Sequence, residues 1–216
     1  ETASLAVVRA MELIQDLLPL GVVNVVTGHG SDVGAALSSH PGIAKISFTG
    51  SGRTGVMIQK EAADTMKRVT LELGGKGPGI VLPDAPLELT AKGATFGFLL
   101  GSGQICISGT RLFVHESIHD ELVARMVELV SKLKAGSQFD ASTTLGPMAY
   151  RAHYERVLGY VESGKAEGAT VACGGGPLEV EGFPDAMFVQ PTIFTGVTPD
   201  MKIYKEEIFG PVLSVI

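Results

Sequence analysis

Lys45-Ile46-Ser47-Phe48-Thr49-Gly50-Ser51-Gly52-Arg53-Thr54-Gly55 reads as a strand, a glycine turn and the opening of a helix. Residues 44–49 suit a strand, and residues 54–67 carry a helical pattern. Between them Gly50, Gly52 and Gly55 fit G-x-G-x-x-G in the setting where that pattern has a mechanism. A tight turn brings the first N–H groups of the helix, and the positive end of its dipole, up to a pyrophosphate. A second glycine turn, Gly28-His29-Gly30 with Gly34 beyond it, follows an earlier apolar run. Glycine also ends strands throughout α/β proteins, so the turns by themselves leave phosphate binding and plain strand termination both open.

Outward from this unit, strands and helices alternate. Towards the N-terminus, Leu5, Val8, Leu13 and Leu17 predict an amphipathic helix closed by Pro19, residues 22–26 a buried strand, and residues 33–39 a helix. Towards the C-terminus, strands are expected at 69–73, 79–82, 111–115, 170–172, 188–191 and 212–216. Helices are expected at 87–100, 118–134 and 152–167, the first weakened by Gly93 and Gly97. Ser117 and Asp120 suggest a capping box for the second, whose stripe of Leu122, Met126, Leu129 and Leu133 ends at Gly136. This alternation predicts an α/β fold with mostly parallel sheets. Joints are expected at Gly74-Gly75 and in the loop 136–147. The chain opens directly on an amphipathic segment and closes on a strand at 212–216 with no connection onward. It therefore reads as a piece of something larger, with that strand as an unpaired edge.

The 216 residues are 45% apolar and 19% charged, ample for a buried core and incompatible with intrinsic disorder. Lys plus Arg number 17 against 23 Asp plus Glu, a net charge of −6 without a basic run, which argues against nucleic acid or an anionic membrane as partner. The apolar stretches are short and interrupted, so neither a membrane span nor a secretory leader is expected. Glycine, at 28 residues, stands near twice its usual share of about 7%, which implies many tight turns. Two cysteines, Cys106 and Cys173, make no disulfide framework and suit a reducing cytoplasm. The five histidines show no ligand spacing, and no metal site is expected.

Two residues stand out chemically. In Val69-Thr70-Leu71-Glu72-Leu73-Gly74-Gly75-Lys76, alternation places Glu72 on the face opposite Val69, Leu71 and Leu73. Its distance from the glycine turn also fits the distal ribose acid of the fingerprint. A carboxylate at the C-terminal end of a strand, beside two glycines, lies where parallel sheets place ligands. Burial there would raise its pKa, as a general base requires; an edge strand would leave it an ordinary surface Glu. Cys106, in Gly103-Gln104-Ile105-Cys106-Ile107-Ser108-Gly109-Thr110-Arg111, sits on a glycine-flanked loop. Buried inert cysteine is the commoner case, but such a loop can present a thiolate to a cleft, with backbone N–H groups available to an oxyanion. Cys173, before Gly174-Gly175-Gly176, reads as an ordinary strand-end thiol.

FTGS from Phe48, LELGGK from Leu71, GQIC from Gly103 with GTR after it, and EEIFGPV from Glu206 follow one another at separations that resemble the aldehyde dehydrogenase superfamily over essentially the whole chain. The interval from Glu72 to Cys106 resembles that of its hydrolytic members. The resemblance implies a Rossmann-like NAD(P)-binding part, residues 1–74, followed by an α/β catalytic domain, residues 75–216, incomplete at its C-terminus. It implies Cys106 as nucleophile and Glu72 as general base. Gly50 and Ser51 would lie against the cofactor, Leu73 would meet the nicotinamide end through its backbone, and Glu207 would hold the nicotinamide ribose with Phe209 beside it. Glu1 matches the acid that binds the adenosine ribose and favours NAD, NADP remaining possible; the distal-acid role then passes from Glu72 to Glu1.

The implied reaction is NAD(P)-dependent oxidation of an aldehyde to a carboxylic acid, in a cytoplasmic enzyme whose full-length parent is a homodimer or homotetramer. CoA-acylating relatives often lack the carboxylate of Glu72, so CoA-acylating oxidation ranks second, and a non-catalytic piece of such an enzyme is the reading from another class. Gly101-Ser102 replaces an Asn common in the family, and His153 stands where many members carry a Gln near the cofactor. The oxyanion Asn and the cofactor-site Lys of the family precede residue 1, so the isolated chain is expected to be inactive. Leu100, Ile105 and Ile107 suggest an apolar tunnel, but they do not identify the aldehyde.

Overall fold

A computed structural model describes residues 1–216, and the chain divides into two units, Glu1–Gly74 and Gly75–Ile216. In the first, β1 (Lys45–Gly50) and β2 (Arg68–Leu73) form a parallel ladder running from Lys45↔Arg68 to Gly50↔Leu73. Parallel neighbours need a long return connection, and here it is a helix, Gly52–Ala63. Ile46, Phe48, Val69 and Leu71 take the more buried positions in alternation with exposed neighbours. A helix at Ser4–Ile14 (α1) and a short one at Ala35–Ser39 (α2) precede the ladder, so the crossover helix is α3. Gly55 of α3 is buried, and a Cβ there would come within 2.8 Å of Leu73 Cδ2. The missing side chain is what lets α3 lie against the end of β2, the packing role of the third glycine in the fingerprint.

Residues 22–26 are not the expected strand. They make no ladder and are exposed throughout, because an apolar run becomes a strand only beside a partner, and β1 pairs with β2 alone. The expected helix 33–39 begins as a wide turn at Gly30–Gly34 and is regular only over α2. α1 stops at Ile14, continues as a tight turn at Gln15–Leu17, and buries none of its residues. α3 starts two residues early because Ser51 caps it. It ends early where Met66 turns left-handed (φ 53°) and the Lys67 N–H returns to the Ala62 carbonyl at 3.0 Å.

The second unit is built on a five-stranded sheet of β3 (Pro78–Val81), β4 (Arg111–Val114), β5 (Thr170–Cys173), β6 (Thr192–Thr195) and β7 (Val212–Val215). Its spatial order is β3-β4-β7-β6-β5, parallel except for the β5–β6 pair. The long helices are α4 (Leu87–Leu99), α5 (His119–Ser131) and α6 (Arg151–Ala166), and a single turn, α7 (Lys202–Lys205), precedes β7. Successive residues of the central strands enter opposite cores. Phe194 and Val212 pack with Val157 and Val161 of α6, whereas Ile193, Leu213 and Val215 pack with Phe98 of α4 and Leu122 and Met126 of α5. The unit is therefore a sheet covered by helices on both faces, which is why its middle strands read as continuous apolar runs. Ser214 is also buried, its hydroxyl donating to the Ile203 carbonyl at 3.3 Å.

Three expectations are corrected here. Residues 212–216 are no exposed edge: β7 lies between β4 and β6 and is buried along its length. The strand expected at 188–191 forms four residues later. Pro191 has no N–H to donate, and residues before it are tied instead to the Gly176-Pro177-Leu178 segment through Leu178 N to Phe188 O (3.0 Å) and Gln190 N to Gly176 O (2.9 Å). The capping box is absent, since α5 begins at His119 without a side-chain cap, and His115 Nδ1 takes the Ser117 N–H at 3.3 Å. No helix of the chain is long and apolar enough to cross a membrane.

The two-sided core predicts that Phe194→Ala, at a fully buried ring on β6, costs about 3–5 kcal/mol in urea unfolding. Ile80→Thr on the outer strand β3, where Ile80 is exposed, should stay within about 0.5 kcal/mol.

Candidate active site

In the first unit the sheet brings four of the sequence-predicted residues to one end. Gly50 pairs with Leu73 and Thr49 with Glu72, while Ser51 leads from β1 into α3. The Ser51 hydroxyl accepts the Thr54 N–H at 3.3 Å and lies 3.0 Å from the Thr54 hydroxyl. Residues 51–54 are exposed, so the start of the twelve-residue α3, apart from the Thr54 N–H already taken by Ser51, is open to solvent, as a phosphate site requires. Glu72 and Leu73 are exposed at the end of β2. The burial expected for Glu72 is therefore not found, because its face of the two-stranded ladder carries no covering layer. Glu1 lies apart from these four. It lines a cleft with Val25, Val26, Thr27 and Gly28, with His29 Nδ1 at 3.8 Å from its carboxylate.

In the second unit Cys106 occupies an exposed turn closed by the Ser108 N–H donating to the Ile105 carbonyl at 3.1 Å. Both flanks of that turn are anchored. On the far side, the Ser108 hydroxyl (3.2 Å) and the Gly109 N–H (3.1 Å) hold the Gly97 carbonyl of α4. On the near side, the Ser102 hydroxyl donates to the Gly146 carbonyl and accepts its N–H, both at 3.0 Å. Gln104 donates to the Gly101 and Pro147 carbonyls (3.3 Å each) and accepts the Ala149 N–H (2.9 Å). Residues 101–103 all have left-handed backbones, and a Cβ on Gly103 would fall 2.2 Å from the Gly210 carbonyl oxygen. Only glycine lets the Cys106 loop rest on the segment that leads into β7.

That segment holds the remaining predicted residues. Glu207 accepts the Gly75 N–H at 3.2 Å through one carboxylate oxygen; the other makes no hydrogen bond within the chain. Phe209 has φ 60°, rare for a bulky side chain. The buried His153 of α6 reaches its carbonyl at 2.7 Å from Nε2, while Nδ1 faces Arg156 Nη2 at 3.3 Å. Gln104, Tyr150, His153, Arg156 and Phe209 line one cleft of about 320 Å³. Beside Glu207, Lys76 points its ammonium into the protein without a hydrogen-bond partner. Burial above all, and then the Arg111 guanidinium, lower its pKa to about 8, against an opposing pull from Glu207. Arg111, at the head of β4, donates to the Lys76 carbonyl and stacks over the Tyr204 ring at 5.1 Å.

Lys76, Gln104 and Arg111 lie within the LELGGK, GQIC and GTR motifs, and only the fold brings them to the site. Nothing in a sequence separates a buried lysine from a surface one.

The two thiols should differ. Burial raises the pKa of Cys173, whose sulfur faces the Pro191 carbonyl at 3.8 Å. Iodoacetamide at pH 7.5 should therefore label exposed Cys106 well before Cys173, read by mass spectrometry. Lys76 gives a stability signature. Its folded pKa of about 8 lies below the ordinary 10.5, so between these values the unfolded chain holds more protons and stability rises with pH. Lys76→Met should be more stable than the unmodified chain at pH 7, by up to about 3 kcal/mol. The gap should close as pH climbs from 8 towards 10.5 in urea titrations.

A family model described as the aldehyde dehydrogenase family matches residues 1–216. Betaine aldehyde dehydrogenase of Brucella anthropi is 51% identical over 199 residues, 92% of this chain and 41% of that protein. The chain thus spans about two fifths of the length of the curated relatives it matches. Among solved structures, an NAD+ complex of aldehyde dehydrogenase from Bacillus cereus superposes with a TM-score of 0.93 at 45% identity, covering 98% of this chain and 43% of that one. A mutant of aldehyde dehydrogenase C from Pseudomonas syringae, in complex with NAD+ and octanal, gives 0.94 at 39% identity, covering 99% and 44%. The chain belongs to the aldehyde dehydrogenase family.

Proposed function

We propose that this chain carries the nucleophile and much of the cofactor contact surface of an NAD-dependent aldehyde dehydrogenase that releases a carboxylic acid. The observation that carries the reading is Cys106: an exposed thiol at the tip of a turn whose two flanks are tied down by Ser102, Gln104 and Ser108. Such a turn presents sulfur to a substrate without loop ordering, which is how positioning lowers a barrier.

The chain has features that fit NAD. The uncovered N-terminus of α3 after Gly50 and Ser51 suits the pyrophosphate. The free oxygen of Glu207 suits a ribose hydroxyl, with Phe209 beside it and the Leu73 backbone at the nicotinamide end. Glu1, in its cleft, suits the adenosine ribose and disfavours the extra phosphate of NADP. Bound NAD supplies the acceptor for a hydride.

Cys106 thiolate adds to the aldehyde carbon, forming a C–S bond and an alkoxide that nearby N–H groups stabilise. Loss of hydride from that carbon leaves a thioester on Cys106. Glu72 removes a proton from water, the hydroxide attacks the thioester carbonyl, and the C–S bond breaks to free the acid and the thiolate. The carboxylate at Glu72 favours hydrolysis over transfer to CoA. Exposed Ile107, directly after Cys106, favours an aldehyde with an apolar body. Betaine aldehyde, which names several relatives, is the alternative substrate. The assembly we infer is a cytoplasmic homodimer or homotetramer, to which the exposed Val56 and Met57 of α3 offer apolar surface.

The test follows NADH in the longest natural form of the protein with octanal and betaine aldehyde, with and without CoA. Cys106→Ser should abolish turnover and Cys173→Ser leave it nearly intact. Glu72→Gln should give a burst of NADH and then a steady rate lower by roughly a hundredfold to ten-thousandfold. Equal losses at both cysteines, or a strict need for CoA, would overturn the reading.

A further inference from the structure

His153 is buried with both ring nitrogens engaged inside the protein. The Phe209 carbonyl can only accept and the Arg156 guanidinium can only donate. The ring is therefore the neutral tautomer with its hydrogen on Nε2: Nε2–H donates to Phe209 at 2.7 Å, and Nδ1 accepts from Arg156 at 3.3 Å. The same guanidinium reaches the Ile208 carbonyl at 3.5 Å. The imidazole also lies against the Phe209 ring, with centroids 5.9 Å apart, and Tyr150 flanks it at 5.6 Å.

What this ring holds is a strained piece of backbone. A left-handed phenylalanine costs of order 1–2 kcal/mol and persists only where its surroundings fix it. Two residues before it stands Glu207, and directly after it comes Gly210, whose carbonyl bears on Gly103 of the nucleophile loop. We propose that His153 is a positioning residue: as the neutral Nε2–H tautomer, braced at Nδ1 by Arg156, it clamps the Phe209 turn and thereby sets Glu207 for the nicotinamide ribose, and uptake of a proton at Nδ1 keeps the Phe209 bond but expels the Arg156 guanidinium, which also reaches the Ile208 carbonyl, and so loosens the turn. The cofactor half of this statement rests on the function proposed above.

Proton uptake replaces the acceptor at Nδ1 with a donor and sets two cations face to face. The charged or titratable groups facing the ring are Arg156 on α6 and Tyr150 just before it. The 207–210 segment offers it a carbonyl and an apolar ring. No carboxylate compensates. Burial first, with Arg156 adding to it, holds the His153 pKa below its ordinary 6.5 despite the Phe209 bond, so the ring is neutral at pH 7 and charges only in acid.

The experiment compares the unmodified protein, in its longest natural form, with H153Q and H153L, measuring NAD dissociation constants from pH 5 to 8. A glutamine amide can donate to Phe209 and accept from Arg156 without taking up a proton. The unmodified protein should bind NAD more weakly as pH falls below 6.5. H153Q should match it at pH 7.5 and lose that acid limb, and H153L should bind about tenfold more weakly across the range, as loss of a buried hydrogen bond implies. H153L binding as tightly as the unmodified protein, or H153Q keeping the acid limb, overturns the proposal alone. Failure of the unmodified protein to bind NAD at any pH overturns the function reading and this proposal with it. Imidazole nitrogen NMR of the unmodified protein decides even if H153L does not fold: a ring charged at pH 7, or protonated on Nδ1 alone, refutes the clamp.

Discussion

β7 is the constraint on which the second unit depends. Its four residues are buried between β4 and β6, and each side chain enters one of two cores. A strand held on both edges and both faces cannot slide, because a shift of one residue would exchange its two faces. The chain just before it, residues 206–211, is thereby fixed in space. Glu207, Phe209 and the Gly210 carbonyl against Gly103 inherit their places from that strand. The Cys106 turn, tied to residues 97, 146, 147 and 149 as well, is positioned by the same core rather than by its own sequence.

Around this frame the protein keeps several polar groups where burial disfavours them. The Lys76 ammonium and Arg111 Nε are buried without partners, and His153 is held neutral. Tyr160 donates to Glu206 at 2.7 Å, and burial with that carboxylate raises its pKa to about 12. Such groups cost stability, and proteins retain them where charge has a use. They cluster on either side of the Glu206–Gly210 segment, which is where the cofactor's ribose is proposed to lie.

The first unit differs in kind. Its ladder has two strands, α1 buries nothing, and residues 22–26 are exposed. Its local elements are nonetheless well formed, since a capped helix and a parallel crossover follow from short-range rules: Ser51 accepting from Thr54, and Gly55 admitting Leu73.

The alternation of strand and helix, the glycine turn opening α3, the apolar stripe of α5 and the candidacies of Glu72 and Cys106 were all legible in the sequence, because each rests on the spacing of near neighbours along the chain. Pairing was not. Residues 22–26 and 212–216 are both short apolar, β-branched runs, yet one is unpaired and the other is the most buried strand of its sheet. A strand's fate lies with its partners, which are remote in sequence. For the same reason tertiary structure alone decided that Glu72 is exposed, that the Lys76 ammonium is buried, and that His153 Nε2 finds the Phe209 carbonyl: these outcomes are set by segments tens of residues away, and no local pattern encodes them.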